Sequence, residues 1–195
     1  MTLSGKKVGI ALTGSFCTFE KVFNQIEKLL SQGADVYTIF TKCAQETDTR
    51  FGDAKFFLGK AEKLTGHKPI TTITEAETLG PNNLLDIIAI APCTGNTLAK
   101  MANAITDSTV LMAVKGLLRN DKPIIIGIST NDALSNNLKN IATLINKKSI
   151  YFVPFGQDNY HAKPNSMVAD FDLLIPTIEQ ALEGKQLQPV ILMPK

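Results

Sequence analysis

Four segments of the sequence place small polar residues directly after apolar runs: 13–18 (TGSFCT), 41–44 (TKCA), 92–97 (PCTGNT) and 129–132 (STND). Glycine backbone, hydroxyl groups and amides bind anionic or polar ligands without supplying a strong nucleophile. Neither G-x-G-x-x-G nor G-K-[ST] occurs, so the pattern of a dinucleotide fingerprint or a Walker loop is absent. These segments therefore indicate a site for a polar ligand, and a mononucleotide is the better expectation.

The segment around Gly14 and Ser15 has the most direct physical argument. It stands where a helix begins, and free N–H groups together with the helix dipole favour a phosphate. The hydroxyl groups of Ser15, Thr18 and Thr41 could complete such a site. The alternative is that Ser15 only caps its helix. In the same way, segment 92–97 is either a ligand loop or a plain turn in which Thr94 or Asn96 caps the next helix.

The elements that position these segments follow from hydrophobic periodicity. Apolar and β-branched runs predict strands at 7–13, 35–41, 85–91, 123–128 and 150–153. Helical spacing predicts helices at 19–30, 54–64, 98–105, 110–118, 134–145 and 177–183, whereas 42–55 reads as a loop. Strands that are apolar on both faces and alternate with helices predict an α/β fold, a three-layer doubly wound parallel sheet. Its ligands bind beyond the carboxyl ends of the strands.

Composition restricts the function classes. The 195 residues are 44% hydrophobic and 19% charged, which suits one globular domain spanning 1–195. The net charge of +2 is spread along the chain, so we expect no nucleic-acid partner and no membrane partner. Cys17, Cys43 and Cys93 have neither metal-site nor disulfide spacing, which predicts no metal and a reducing, cytoplasmic location.

The polar turn and the helix after it, PCTGNTLAKMA, resemble the P-A-S-A-N-T motif of the homo-oligomeric flavin-containing cysteine decarboxylases. Gly14-Ser15 and segment 41–44 match other flavin-contacting positions of that family, and the resemblance covers about residues 5 to 155. It implies a Rossmann-like flavoprotein fold, FMN, and a homo-oligomer, a trimer or a multiple of one. The implied cofactor-binding residues are Gly14, Ser15, Phe16, Thr18, Thr41, Lys42, Pro92, Thr94, Gly95, Asn96, Thr97 and Asn131.

Three departures from the family pattern weaken the expectation of cysteine decarboxylation. Segment 78–83 (TLGPNN) has no histidine where the decarboxylases carry a catalytic one. The P-x-M-N-x-x-M motif is matched by 128–134, in which Asn131 is kept but both methionines are lost. Alanine at the fourth position of P-A-S-A-N-T is replaced by Gly95.

Longer segments, such as GIALTGSFCTFEKV and ISTNDALSNN, are similar to the flavoprotein-type subunits of two-subunit oxidoreductases. That resemblance implies a dicarboxylate substrate and a partner subunit that binds NAD(P). Since a guanidinium grips a carboxylate well, Arg50 is a candidate substrate ligand, and its alternative is a solvated loop charge. His161 is a candidate for proton transfer, and Asn131 for substrate binding. No catalytic residue follows from the sequence.

Other functions stay open at this point. The chain could be a non-catalytic binding subunit that has lost flavin, or a family decarboxylase with another substrate. A flavodoxin-type electron carrier is a further alternative, although the dense T/S-x-T-G-x-T loop and tryptophan are both missing.

Overall fold

The computed structural model describes residues 3–193. Its strands are β1 (Lys7–Leu12), β2 (Asp35–Phe40), β3 (Ile87–Cys93), β4 (Ile124–Thr130), β5 (Ile150–Phe152), β6 (Phe155–Gln157) and β7 (Met167–Ala169). The middle strands are buried on both faces, as their continuous apolar sequences predict; every residue of β3 is buried.

The parallel part of the sheet has the order β2-β1-β3-β4-β5. From β1 the chain moves outward to β2, then returns past β1 to begin β3 on its other side. The order therefore reverses between β1 and β3, which is where doubly wound sheets bind ligands. The predicted doubly wound parallel sheet is confirmed, and the chain has the Rossmann-like architecture.

The helices are α1 (Phe19–Ser31), α2 (Lys42–Glu46), α3 (Ala54–Thr65), α4 (Ile73–Glu77), α5 (Gly95–Ala102), α6 (Thr109–Arg119), α7 (Leu138–Ile145) and α8 (Leu174–Leu182). Helices α1 and α8 pack together with the sheet, while α6 packs on the sheet and on α4 and α5. Helix α1 ends at Ser31, and Gly33, just beyond its C-cap Gln32, has the left-handed φ of 80° that terminates a helix.

The structure corrects several predicted boundaries. Segment 42–55 is not all loop, because Thr41 caps the short helix α2. Helix α4 lies in a stretch without clear periodicity, where Thr72 and Glu75 form a capping box. The strand predicted at 85–91 runs from Ile87 to Cys93 and continues through Pro92. It does so where its register with β4 shifts, between Ile90 and Cys93, so the missing N–H of proline is tolerated.

Two further differences concern the end of β4. Helix α7 begins at Leu138 rather than near 134, because residues 130–137 form a turn held by side-chain hydrogen bonds. Strands β6 and β7 are not predicted from the sequence, since each becomes a strand only through pairing with residues distant in the chain or with the other. They are antiparallel additions to the parallel sheet: β7 pairs with Ser129 and Thr130 of β4, and β6 pairs with β7.

Candidate functional site

The carboxyl ends of β1 and β3 are joined by one buried hydroxyl group. Thr13, which is 1% exposed, donates from Oγ1 to the Pro92 carbonyl oxygen at 2.7 Å and accepts from the Thr94 N–H at 3.1 Å. Both bonds connect residues that are about eighty positions apart in the chain. The loops after these two strands are therefore held side by side at the switch point of the sheet.

A second hydroxyl contact joins the loop after β1 to the end of β4. Ser15 Oγ lies 2.7 Å from Ser129 Oγ. The 3₁₀ turn that follows, Phe16–Thr18, has no side-chain cap, so the alternative that Ser15 only caps its helix is wrong. The ends of β1, β3 and β4 thus form one polar edge, here called the rim: residues 13–18, 92–97 and 129–132.

The loop after β2 lies beside this rim. Thr41 is buried and donates from Oγ1 to the Leu12 carbonyl oxygen at 3.4 Å, while its hydroxyl oxygen accepts from the Ala44 N–H. A Cβ atom on Gly14 would lie 3.0 Å from Cys43 Sγ, which shows how closely the two loops approach. Lys42, which precedes Cys43 in this loop, is exposed.

Thr94 begins helix α5 as its cap. Its hydroxyl oxygen accepts from the Thr97 N–H at 3.4 Å and lies 3.2 Å from Thr97 Oγ1. Thr97 is buried, whereas Asn96, the residue before it, is exposed. The turn 92–97 therefore caps a helix and still presents an amide side chain to solvent, so the two interpretations of its sequence are compatible.

Gly95 is enclosed by side chains of the loop after β4. A Cβ atom at Gly95 would lie 2.5 Å from Asn137 Nδ2, 2.6 Å from Asp132 Oδ1 and 2.8 Å from Thr130 Oγ1. The alanine of the related motif would therefore force these side chains to shift. Glycine at this position permits the close packing between two loops of the rim.

The candidate substrate residues are less closely grouped. Asn131 is exposed, and its Oδ1 accepts from Ser166 Oγ at 3.4 Å. His161 is exposed, and its ring lies against that of Tyr160, with centroids 4.2 Å apart and planes tilted by 41°. Its segment, 158–166, lies beside the end of β4, since the Leu134 N–H donates to the Asn165 carbonyl oxygen.

Arg50 makes no hydrogen bond or ion pair with the rim among the residues that the structure describes. Its guanidinium carbon lies 4.9 Å from the ring centroid of Phe51, its neighbour in the chain. Both residues are exposed in the loop that follows α2. The geometry matches the simpler interpretation of Arg50 as a solvated loop charge.

The three cysteines differ in environment. Cys17 is exposed within the rim, Cys43 is exposed in the loop beside it, and Cys93 is buried at the end of β3. Burial raises the pKa of the Cys93 thiol well above its usual range. Cys93 is therefore an inert packing residue rather than a nucleophile.

Sequence reasoning did not single out four residues that organise the rim: Thr13, Ser129, Asp132 and Asn137. The first three lie in the polar segments after strands, so their positions carried a signal. Asn137 carried none, because its role depends on the turn between β4 and α7.

Other features of the described residues bear on function class. A cavity of about 770 Å³ lies away from the rim, between the polar face of α1 and residues 156–158 and 169–172. Among the helices of residues 3–193, none combines the length and the apolar character that a membrane span requires. The same residues contain no group of three or more histidine, cysteine, aspartate or glutamate side chains arranged to hold a metal ion.

Comparison with known proteins gives a consistent result. The model of the family described as Flavoprotein matches residues 1–176. The B subunit of dipicolinate synthase from Bacillus subtilis is 52% identical over 190 residues, which cover 97% of this chain and 95% of the relative. The crystal structure of the corresponding dipicolinate synthase subunit from Bacillus halodurans is 48% identical, covers both chains completely and superposes with a TM-score of 0.92.

A more distant likeness concerns the fold alone. The crystal structure of SpaF, an FMN-dependent cysteine decarboxylase, is 24% identical, covers 92% of this chain and 98% of its own, and has a TM-score of 0.67. The sheet order, the polar rim at the β1/β3 switch point and the match over residues 1–176 agree with one another, and the chain belongs to the flavoprotein family.

Proposed function

We propose that this chain is the B subunit of a dipicolinate synthase, which works with the A subunit in oxidising dihydrodipicolinate to dipicolinate. The observation that carries the proposal is the 52% identity to the Bacillus subtilis protein, which extends over 97% of the chain. Identity at this level, with so little of either chain left out, supports a shared partner and a shared reaction. NAD(P) would bind to the A subunit, and the complex would work in the mother-cell cytoplasm of a sporulating bacterium.

The second part of the proposal is that the rim binds FMN. The uncapped turn after Ser15 suits a phosphate monoester, and the exposed Lys42 of the adjoining loop would add a cation. The Thr94 turn and the exposed amide of Asn96 suit the polar edge of a flat ring. When bound, a flavin supplies an acceptor for a hydride, and the protein supplies position and electrostatics. Thr18, Thr41 and Thr97 would act through the backbone they hold, since their hydroxyls are already bonded within the protein.

The dicarboxylate would lie where the loop after β4 meets segment 158–166. Asn131 offers an amide there, and His161 stands in the adjoining segment. Arg50 is the weaker candidate because its contact is with Phe51. A homo-oligomer, a trimer or a multiple of one, is also part of the proposal, and light scattering of the purified chain measures it directly.

A second function has one specific observation in its favour. Segment 78–83 has no histidine, and Leu79 and Gly80 within it are buried against the rest of the fold. The chain could therefore keep the flavoprotein fold without flavin chemistry and stabilise the A subunit. In that case, variants of Asn96 and Asn131 would leave synthase activity unchanged. A decarboxylase acting on another substrate is less well supported, because this same histidine is missing.

The deciding experiment measures dihydrodipicolinate oxidation in the presence of NAD(P) by this chain alone, by the isolated A subunit, and by both together. We expect full activity only from the mixture. Equal activity of the isolated A subunit would overturn the proposed role. Titration of the chain and of the complex with FMN tests the flavin part separately, and absence of binding to both would refute it.

The same titration, made with FMN and with riboflavin, can compare a variant of Ser15 with a control variant. We expect Ser15→Ala to weaken FMN more than riboflavin, because riboflavin lacks the phosphate that this loop is proposed to hold. Asn136→Ala, an exposed change in the loop after β4, is the control and should leave both affinities unchanged.

A further inference from the structure

The loop after β4 contains a continuous chain of side-chain hydrogen bonds. Thr130 Oγ1 donates to Asp132 Oδ1 at 2.6 Å, and Asn137 Nδ2 donates to Asp132 Oδ2 at 2.9 Å. Asn140 Nδ2 in turn donates to Asn137 Oδ1 at 2.9 Å. Asn137 and Asn140 are 4% and 6% exposed, so the network fixes buried groups that would be costly to leave unpaired.

This network packs directly on the first turn of α5. The three atoms that would surround a Cβ at Gly95 belong to Thr130, Asp132 and Asn137. The Thr130 and Asn137 side chains are both held in place by the Asp132 carboxylate. Asp132 therefore hydrogen-bonds to both of the other side chains, Thr130 and Asn137, whose atoms would lie within 3 Å of that Cβ.

We propose that Asp132 is a positioning residue that fixes loop 94–97 against loop 130–137. This inference rests on the proposed function only in that loop 94–97 is the part assigned to the flavin ring. Asp132 acts through Gly95 and not on the phosphate, since Ser15 and the uncapped turn are held by a different contact, to Ser129. Its loss should loosen the ring-binding loop and leave the phosphate-binding loop intact.

The first test is Asp132→Asn, which keeps an oxygen for Thr130 but can place an NH₂ group against the NH₂ group of Asn137. We expect the dissociation constants of FMN and of riboflavin to rise by the same factor, at least tenfold. Asn136→Ala is the control. An effect on FMN but not on riboflavin, or no effect on either, would overturn the assignment.

The second test is a double-mutant cycle that needs no flavin. Gly95→Ala alone crowds the network, whereas in Gly95→Ala/Asp132→Ala the Thr130 and Asn137 side chains are free to turn away. We expect amide hydrogen exchange in residues 94–98 to be at least tenfold faster in each single variant than in the unmodified protein. In the double variant, the increase in exchange rate should be smaller than the product of the two single increases. Strictly multiplicative effects, or unchanged exchange in Asp132→Ala, would contradict the proposal.

The two tests separate this inference from the proposed function. If the unmodified chain and its complex bind no FMN while the exchange cycle shows coupling, the flavin proposal fails and Asp132 keeps its positioning role. If FMN binds normally and the cycle shows no coupling, the positioning role fails alone.

Discussion

The loops after β1 and β3 lie side by side but are built in opposite ways. After β1, the turn Phe16–Thr18 has no side-chain cap, and the Ser15 hydroxyl reaches across to β4. After β3, Thr94 caps α5, and Gly95 is packed against three side chains. The first loop leaves helix N–H groups without a side-chain cap, while the second is capped and is held by side chains of the loop after β4. This difference supports the two proposed roles: the loop after β1 would bind an anion, and the loop after β3 would hold a flat ring in a fixed position.

The strongest way to break this arrangement is to remove the hydroxyl that joins the two loops. Thr13→Val leaves the Thr94 N–H and the Pro92 carbonyl oxygen unpaired, and we expect a loss of about 2–4 kcal/mol in the free energy of unfolding. Chemical denaturation measures this free energy.

Thr38→Val is the matched control, because the buried Thr38 hydroxyl has no partner among the described residues. It should gain about 1 kcal/mol. A similar loss in both variants would show that the Thr13 bonds contribute nothing specific.

Crowding the loop after β3 should have the next largest effect. Gly95→Ala forces the surrounding polar side chains to move, and we expect it to destabilise the fold by about 1–3 kcal/mol. Gly59→Ala is its control: Gly59 lies within α3, and a Cβ there would meet nothing within 4 Å. That change should stabilise the protein by up to about 1 kcal/mol. If both variants were stabilised, the packing on Gly95 would be looser than described.

A third comparison concerns the N-terminal caps of α4 and α5. The third residue of α4 is Glu75, a carboxylate, and the third residue of α5 is Thr97. Bonds from the Thr71 and Thr72 N–H groups lower the pKa of Glu75 below its ordinary value of 4.5. A carboxyl group with a lowered folded-state pKa contributes stability that is present above the unfolded pKa and is lost as pH falls through the folded one. Glu75→Gln should therefore cost about 0.5–1 kcal/mol near neutral pH and flatten the acid side of the stability profile.

The measurement for Glu75 is urea denaturation at a series of pH values below about 6, a range that spans the titration of a carboxyl group. Thr94→Val is the comparison, because the cap of α5 contains no ionisable group and its removal should lower stability equally at every pH in this range. An unchanged acid slope in Glu75→Gln would refute the assignment of pH dependence to α4.

The smallest effect concerns thiol reactivity and leaves stability unchanged. Cys17 is exposed in the loop after β1 and Cys43 in the loop beside it, whereas burial raises the pKa of Cys93. In the native protein, a disulfide reagent should modify two thiols quickly and the third only on unfolding. FMN should slow the labelling of Cys43, because Gly14 approaches it closely. Fast labelling of all three would contradict the burial of Cys93.

Much of the fold was predictable because it depends on local pattern. The apolar runs of β1 to β4 and the helical spacing of α1 and α6 identify these elements without reference to distant residues. The antiparallel strands β6 and β7 were missed, since these segments become strands only through the pairing of β7 with the end of β4 and of β6 with β7. The start of α7 was misplaced for a related reason: Asp132 and Asn137 form their turn through side chains that the periodicity does not describe.

The sequence by itself determined the class of fold, the position of the polar turns at strand ends and the resemblance to a flavoprotein, because residue type and spacing carry these. Only the tertiary structure decided how the turns are used. Thr13 bridges β1 to β3, Ser15 reaches Ser129, and Asp132 closes on Gly95. Each contact joins residues that are between about forty and more than a hundred positions apart. Their geometry follows from the packing of whole elements, which no local pattern encodes.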